Sequence, residues 1–473
     1  MDENKQERKL TFYGGRYMVF VPLLMSLVLL MWVALNNGNV PVYWGAFLVP
    51  LLLCIFLAKN KYEYCETIIR GFIDPVGGSL IVAILLAGIA GMFISESGMV
   101  ESLAQLVIEV DLTGNRFVAA TFVISCLVGF TTGTSVGTIF VVGPILYPVG
   151  YLVGGTPALL IGAIISGGAF GDDFAPFSET VIACSSTQKV NLGVLFRSRA
   201  KYVVPVAVIS LIMYLLIGAE GGVDVDAATA ETDPRAFLFL LVPVVVIVAC
   251  LFQRHLVESL SYGILAGIII GAVTGIIPLS QIVSIPEPFG AGGIIVDGIN
   301  DALPTAVVVL FMFSHIKILD EGGGTDIILG FAERFVKGPR SCEATISGIT
   351  MLLNAITGLN AAAIMGCAPI AYQLGEKYGV GGYRRSNIMI CSGATLNYLL
   401  PYMVPLVSGC MISSTYAPTP DAVPVTPFEV IPAQFYPWIT LAMIVFAILT
   451  GYGRTKLPDG GEKVTAKAGA EAK

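Results

Sequence analysis

Apolar windows of about 17–20 residues recur along nearly the whole chain, and each is long enough to cross a lipid bilayer as a helix. Hydrophobic residues make up 55% of the sequence and charged residues only 12%, whereas about a quarter of a soluble protein is charged. The sequence therefore predicts an all-α polytopic membrane protein. The nine Cys residues are scattered without metal-ligand spacing, and no basic stripe indicates a nucleic-acid partner.

Ten of these windows are predicted to be transmembrane helices, five in each half of the chain. Two further apolar regions differ from the rest because small polar residues interrupt them, TTGTS at 131–135 and TGLNA at 357–361. We expect both regions to be re-entrant hairpins, over 115–151 and 342–376. The ten predicted spans lie near 17–35, 41–58, 79–95, 157–187, 202–219, 236–252, 259–278, 303–318, 384–413 and 435–451.

The lysine and arginine residues fall on one side of the membrane if both interrupted regions enter and leave on the same side. Lys5 and Arg8 precede the first span, Arg199 follows the fourth, and Arg384 lies beside the second interrupted region. The opposite side then carries the acidic stretch at 218–233. This pattern predicts a multi-pass protein of the cell membrane, the inner or cytoplasmic membrane, with both termini in the cytoplasm.

The two halves of the chain resemble each other at an offset of 225 residues, which brings both interrupted regions into register. The matched pairs include Thr132 with Thr357, Gly133 with Gly358, Pro144 with Pro369, and Pro176 with Pro401. Because each half has an odd number of spans, we expect two inverted-topology repeats, an arrangement typical of secondary transporters. The predicted divisions are a cytoplasmic N-terminus 1–16, a first repeat 17–219, an extracytoplasmic acidic linker 220–235, a second repeat 236–451 and a cytoplasmic tail 452–473.

The stretch GAFGDDFAPFSETV at 168–181 carries the chemistry expected of a binding site. A carboxylate in an apolar span is costly and is a functional candidate by default, and Pro176 is expected to break the helix beside it and free a carbonyl. Carboxylates, hydroxyls and carbonyls are the oxygen ligands of a hard cation. The predicted ion- or substrate-binding residues are Asp172, Asp173, Thr134, Ser135, Ser178, Glu179, Thr180, Asn360, Thr395 and Asn397, of which Asp172, Thr134 and Ser135 are the predicted Na⁺ ligands.

Less specific interpretations remain open for several of these residues. TTGTS is also compatible with a simple turn, and Asp172 or Asp173 with a structural hydrogen-bonding acid. Glu179 lies toward the cytoplasmic half of its span, where a satisfied structural acid is an equal alternative. His255 and His315 are expected at cytoplasmic helix ends, as interfacial residues rather than ligands.

The segment GAIISGGAFGDDFAPFSETV resembles the NhaC-type sodium/proton antiporter family. Gly171-Asp172, Pro176 and Ser178-Glu179-Thr180 match its signature in order. The resemblance implies a carrier with re-entrant hairpins, Na⁺ and H⁺ as transported or coupling ions, and no cofactor. The broad family also contains relatives that exchange organic acids, such as malate for lactate. Two departures are present: Asp173 stands where the family often has Lys, and TLNYLLPYMVP at 395–405 lacks a Trp-Asn-Thr-Cys-Gly sequence.

The residues and the resemblance together predict a secondary active antiporter rather than an enzyme. Ionising Asp172 disfavours ionising its neighbour Asp173, so the pair is expected to hold a proton when no cation is bound and to release it when Na⁺ arrives. The alternative is a cation- or proton-coupled carrier of a small organic acid or amino acid. The predicted partners are the lipid bilayer and a small cation or small-molecule substrate, and a homodimer is compatible with the sequence.

Three rivals from other classes are less well supported. An intramembrane aspartyl protease lacks its Gly-x-Gly-Asp motif here, because position 169 is Ala. A primary pump is disfavoured because the chain contains no Gly-x-x-x-x-Gly-Lys-Ser/Thr loop. A passive channel is the third, and its flux would not saturate.

Overall fold

The computed structural model describes about nine-tenths of the chain, in nine stretches and one single residue. Most of the predicted N-terminal segment, the acidic linker and the C-terminal tail lie outside the described residues. Those residues are 10–36, 40–176, 178–217, 233–252, 254–285, 290–324, 327, 336–358, 360–419 and 422–454.

The regular elements of the described residues are all helical. In the first half, the α-helices are α1 (Val21–Leu35), α2 (Val40–Cys54), α3 (Lys61–Phe72), α4 (Pro75–Ser95), α5 (Met99–Glu109), α6 (Gly114–Thr132), α7 (Ser135–Leu152), α8 (Pro157–Phe174), α9 (Glu179–Thr187) and α10 (Leu192–Leu216).

Short 3₁₀ segments lie at Arg16–Phe20 and Ile55–Leu57 in the first half, and at Pro234–Leu240 and Ile431–Ala433 in the second half. The second half continues with further α-helices. The α-helices are α11 (Leu241–Leu251), α12 (Leu256–Thr274), α13 (Leu279–Ile282), α14 (Ile294–Glu321), α15 (Pro339–Thr357), α16 (Asn360–Tyr378), α17 (Gly382–Leu399), α18 (Val404–Thr415), α19 (Pro427–Val430) and α20 (Phe435–Thr450).

Within the described residues, nine helices are long and apolar enough to cross a membrane, or ten if a bent pair at Pro427–Thr450 is one span. This agrees with the predicted polytopic all-α class, although the helices that qualify as spans are not all the ones predicted from the sequence. The predicted spans 41–58 and 236–252 form shorter apolar helices, whereas α6 and α7 each qualify alone. At about 1.5 Å per residue both are nearly 30 Å long, so length does not decide between a hairpin and two crossings.

Both interrupted regions form a helix, a short link and a second helix that packs against the first. The link in the first region contains Gly133 and that in the second contains Gly358, each at a φ of 65°, which favours glycine. Either arrangement, hairpin or double crossing, returns the chain to the side from which it came. Re-entry into the membrane stays a prediction.

The helix bounds of the two halves coincide at the offset found in the sequence. Adding 225 to the bounds of α6 and α8 gives the bounds of α15 and α17. The breaks also correspond, because α8 and α9 are separated at residues 175–178 and α17 and α18 at 400–403. These coincidences support the repeat, and the inverted orientation of the halves in the membrane stays a prediction.

Helices α6 and α8 approach each other more closely than ordinary side chains allow. A Cβ atom added at Gly171 would overlap the backbone of Gly129, and one added at Gly167 would overlap Ser125. Glycine therefore lets the two backbones touch, in the manner of small-residue interfaces between membrane helices. The helix that carries the acidic break is fixed against the first arm of the interrupted region.

Several elements depart from the sequence prediction. Helices α3 and α5 were not predicted, since both are short and amphipathic rather than uniformly apolar. Helix α10 begins ten residues before the predicted span, so it includes Arg199. His315, expected at an interface, is buried in α14, where Nε2 lies 2.7 Å from the Ser26 hydroxyl of α1.

Candidate ion-binding site

The break between α8 and α9 exposes backbone and side-chain oxygens inside the protein. The carbonyl of Asp172 stands four residues before Pro176, which has no N–H to donate to it. The hydroxyl of Thr180 donates to this carbonyl instead, at 2.9 Å. The Thr180 hydroxyl also lies 2.9 Å from that of Ser178. The Ser-acid-Thr triplet thus closes the break by satisfying the oxygen that proline frees.

The Asp172 carboxylate is buried and receives hydrogen bonds from neutral groups only. Its Oδ1 accepts from the Ser178 hydroxyl at 3.0 Å. Its Oδ2 accepts from the Asn360 amide at 3.3 Å and from the Tyr398 hydroxyl at 3.1 Å. Among the described residues no basic side chain forms an ion pair with it. Asp172 is therefore a buried acid that both halves of the chain hold without neutralising.

The neighbouring Asp173 has a different environment, with a fixed counter-charge. Arg199 of α10 forms an ion pair with its Oδ1 and donates from Nε to its backbone carbonyl at 2.7 Å. Tyr436 of α20 donates to its Oδ2 at 2.6 Å. All three side chains are fully buried. Arg199, expected among the cytoplasmic charges, is thus an interior residue, and the two adjacent acids do not share one environment.

The tip of the first interrupted region contributes less directly. The carbonyl of Thr134 accepts from the hydroxyls of Thr132 and Thr138, at 3.2 and 2.7 Å. Ser135 is buried, and its backbone packs against Gly168 of α8.

The second half supplies the amide that touches the carboxylate. Asn360 is the first residue of α16 and lies very close to Gly393 of α17. A Cβ atom added at Gly393 would overlap the side-chain oxygen of Asn360. The Asn354 amide donates to that same oxygen at 3.4 Å and to the Gly393 carbonyl at 2.9 Å. The buried Oδ1 atoms of Asn354 and Asn397 have no hydrogen-bond partner among the described residues. Two amide oxygens are therefore left free next to the site helices.

Two predicted site residues point elsewhere. The Thr395 hydroxyl donates to the Ser392 carbonyl of its own helix at 2.6 Å. Glu179 is exposed in the first turn of α9, where an acid is favourable for the helix dipole. A role for either in ion binding stays a prediction.

Four residues of this site were missing from the sequence prediction, namely Asn354, Tyr398, Arg199 and Tyr436. The last three contact the acidic pair across 26 to 263 residues of sequence. The only signal available was the offset of the repeat, which matches Asp173 with Tyr398. A polar residue at the position equivalent to an acid is the sequence signal for such a contact.

A second buried ionic cluster joins α15, α17 and the end of α20. Glu343 accepts two hydrogen bonds from Arg384, at 3.1 and 3.0 Å, and two from Arg454, at 2.8 and 2.7 Å. Arg384 donates further to the Tyr202 hydroxyl and to the Tyr452 carbonyl, both at 2.7 Å. Arg384 was expected at the membrane surface and is instead buried, where it ties the second broken helix to the C-terminal end.

Residues 14–219 and 234–453 match the model of a family described as the Na⁺/H⁺ antiporter family. The chain belongs to the Na⁺/H⁺ antiporter family. It is thus a membrane transporter and not an enzyme, as the sequence predicts, and its ions are transported solutes rather than cofactors. Membership also removes the intramembrane aspartyl protease from consideration.

Two antiporters are related to the chain by sequence. The Na(+)/H(+) antiporter NhaC of Alkalihalophilus pseudofirmus is 24% identical over 390 residues, covering 78% of this chain and 84% of the relative. The malate-2H(+)/Na(+)-lactate antiporter of Bacillus subtilis is 25% identical over 270 residues, 55% of each protein. Among solved structures, the chain is similar to Neisseria gonorrhoeae MtrF, which belongs to a class of antimetabolite efflux pumps. The match covers 92% of this chain and 99% of the MtrF chain, with 14% sequence identity. Its TM-score of 0.40 is too low to carry an argument.

The arrangement around Asp172 combines a buried carboxylate with neutral hydrogen-bonding side chains. The carboxylate lies in the interior, and Ser178 and Tyr398 offer hydroxyls that donate to it or, after rotation, accept from water and coordinate a cation. No metal-binding cluster of His, Cys, Asp and Glu occurs among the described residues. A site with one carboxylate and neutral oxygens suits a monovalent cation better than a divalent one.

Proposed function

We propose that the chain exchanges Na⁺ for H⁺ at the carboxylate of Asp172. The observation that carries this proposal is that Asp172 is buried at a helix break and is held by Ser178, Asn360 and Tyr398, none of which carries a charge. A buried carboxylate without a counter-ion is stabilised either by a proton or by a cation. Competition between the two for one oxygen site, with exposure to each side in turn, is sufficient for antiport.

The exchange follows from the hydrogen-bonding capacity of the same groups. When Na⁺ arrives, the proton leaves a carboxylate oxygen of Asp172 for water on the open side. The hydroxyls of Ser178, Thr180 and Tyr398 then turn their lone pairs toward the cation, because a hydroxyl is both donor and acceptor. Thr134 and Ser135 at the tip are proposed to complete the coordination.

The proposed membrane arrangement has two inverted repeats, two re-entrant hairpins and both termini in the cytoplasm. It assigns Lys189 and Arg340 to the cytoplasmic side and Asp224 to the outside. Single-Cys variants in a Cys-less background, treated with an impermeant thiol reagent on intact cells, test this arrangement. Labelling of a Cys at 340 without labelling at 224 would contradict it.

The exchange site is tested by Asp172→Asn in purified protein reconstituted into liposomes with an internal pH dye. The change keeps the shape and removes the titrating group, so Na⁺-driven proton movement should fall to the rate of protein-free vesicles. Glu109→Gln is the control, because it removes an exposed acid at the end of α5, outside the site, and should leave exchange near the parental rate. Parental exchange in Asp172→Asn would refute the proposal.

A carrier of a small organic acid is the second candidate, because the Bacillus subtilis relative is a malate-2H(+)/Na(+)-lactate antiporter. In this candidate the Oδ1 of Asn397, which has no partner among the described residues, would accept a hydrogen bond from a substrate hydroxyl, whereas the Asn360 amide already donates to Asp172. The two candidates separate in the same liposomes. Na⁺ alone should drive alkalinisation of acid-loaded vesicles, and a strict need for malate, lactate or an amino acid would favour the organic-acid carrier.

A further inference from the structure

The charges fixed around the acidic break determine how much charge one transport cycle carries. Building on the proposed exchange at Asp172, we infer that Arg199 permanently neutralises Asp173, and that the site therefore exchanges one Na⁺ for one H⁺ without moving net charge. Arg199 acts in this scheme as a positioning residue and does not bind the ion. The inference concerns stoichiometry, which membership of the family does not settle.

The contacts of Arg199 are those of a fixed pair rather than an exchangeable one. Its guanidinium reaches both the side chain and the backbone carbonyl of Asp173, and Tyr436 occupies the second carboxylate oxygen. Arginine stays protonated at any physiological pH. Arg199 and Asp173 are both fully buried, so breaking their pair would leave an uncompensated charge in a medium of low dielectric constant.

Counting the charges gives the site a net value of minus one. Asp172 and Asp173 contribute two negative charges, and Arg199 contributes one positive charge. The other buried arginines near the broken helices also have acidic partners, since Arg384 shares Glu343 with Arg454 and Arg385 pairs with Glu376. In the part of the site that the structure describes, the charge of Asp172 is the one left for the transported cation to neutralise.

A site of this charge becomes neutral with one proton and equally neutral with one Na⁺. Moving a net charge through the membrane interior is expensive, so the neutral loaded forms are those that change sides. Two free acids would behave differently, because such a site takes up two protons but is occupied by one Na⁺. The pairing of Asp173 with Arg199 removes the second proton from the cycle.

The test measures the reversal point of exchange in liposomes that hold the intact protein, with the voltage clamped by K⁺ and valinomycin. For one-for-one exchange, a tenfold Na⁺ gradient should be balanced by about one pH unit, and a voltage of 100 mV should not move this point. If each cycle moved one net charge, the same voltage would change the Na⁺ concentration ratio at the reversal point about 50-fold. If two protons moved per Na⁺, the pH difference that balances the Na⁺ gradient would be halved. A shifted reversal point would overturn the inference.

Two variants separate charge neutralisation from ion binding by Asp173. Asp173→Asn alone leaves Arg199 without its acid and free to pair with Asp172, so Na⁺-driven exchange should be lost. The double variant Asp173→Asn with Arg199→Gln restores the net charge and should recover exchange that is insensitive to voltage. A folded double variant without exchange would assign Asp173 to the ion pathway and overturn the inference.

These outcomes are distinct from those that decide the proposed function. If Asp172→Asn exchanges like the parental protein, the assignment of the exchange site fails, and the inference fails with it. If Asp172→Asn is inactive while voltage shifts the parental reversal point, only the stoichiometry is wrong. The parental measurement decides the inference even if neither Asp173 variant folds.

Discussion

Tyr398→Phe tests the electrostatics of the exchange site with the smallest change in shape. The substitution keeps the buried ring and removes the one hydroxyl that donates to Asp172 Oδ2, at 3.1 Å. A hydrogen bond to a charged group is worth about 1.5–3 kcal/mol net, and it stabilises the ionised carboxylate over the protonated one. Its loss favours the proton by the same amount, and about 1.4 kcal/mol corresponds to one pH unit.

The pH at which Na⁺-driven exchange is half-maximal should therefore move about one to two units in the alkaline direction. The assay is the initial rate of dye-detected proton movement at saturating Na⁺, measured across the pH range in folded, monodisperse protein. Tyr147→Phe is the matched control: its buried hydroxyl has no partner among the described residues, so its profile should not move. An unchanged or acid-shifted profile for Tyr398→Phe would refute the reasoning.

Two further predictions concern packing and the ionic cluster. Gly393→Ala places a methyl group on the side-chain oxygen of Asn360 and should strongly weaken Na⁺-driven exchange. Gly348→Ala, where nothing lies within 4 Å, should leave both exchange and thermal stability near parental values. Equal exchange rates in these two variants would remove Asn360 from the site. Glu343→Gln removes a fully buried acid from two arginines and should cost about 3–5 kcal/mol of stability, whereas the more exposed Glu376→Gln should cost at most about 1 kcal/mol. Thermal melting followed by size-exclusion chromatography measures both, and equal melting temperatures would contradict the structural role of the cluster.

The helix break at Pro176 could be predicted from the sequence because the signal for it is local. Pro176 removes a donor, and Thr180, whose hydroxyl replaces it, lies only four residues further along the chain. The register of the two halves was also accessible, since the offset of 225 residues that aligns Thr132 with Thr357 aligns the helix bounds as well. Local chemistry and internal repetition need no knowledge of the tertiary fold.

The environment of the acids was not accessible in the same way. The rule that basic residues mark the cytoplasmic surface describes loops, and Arg199 lies within α10, where an acid from another helix keeps it in the interior. Tyr436 reaches the same acid from 263 residues away. Nothing in the local sequence distinguishes a tyrosine that holds a carboxylate from one that packs against lipid.

The glycine contact between α6 and α8 limits which parts of the protein can move during transport. Where two helix backbones touch at Gly129 and Gly171, neither helix can rotate or slide against the other without a clash. The acidic break and the first arm of the interrupted region therefore travel as one rigid unit. We therefore expect any hinge that opens the site to lie outside this pair of helices.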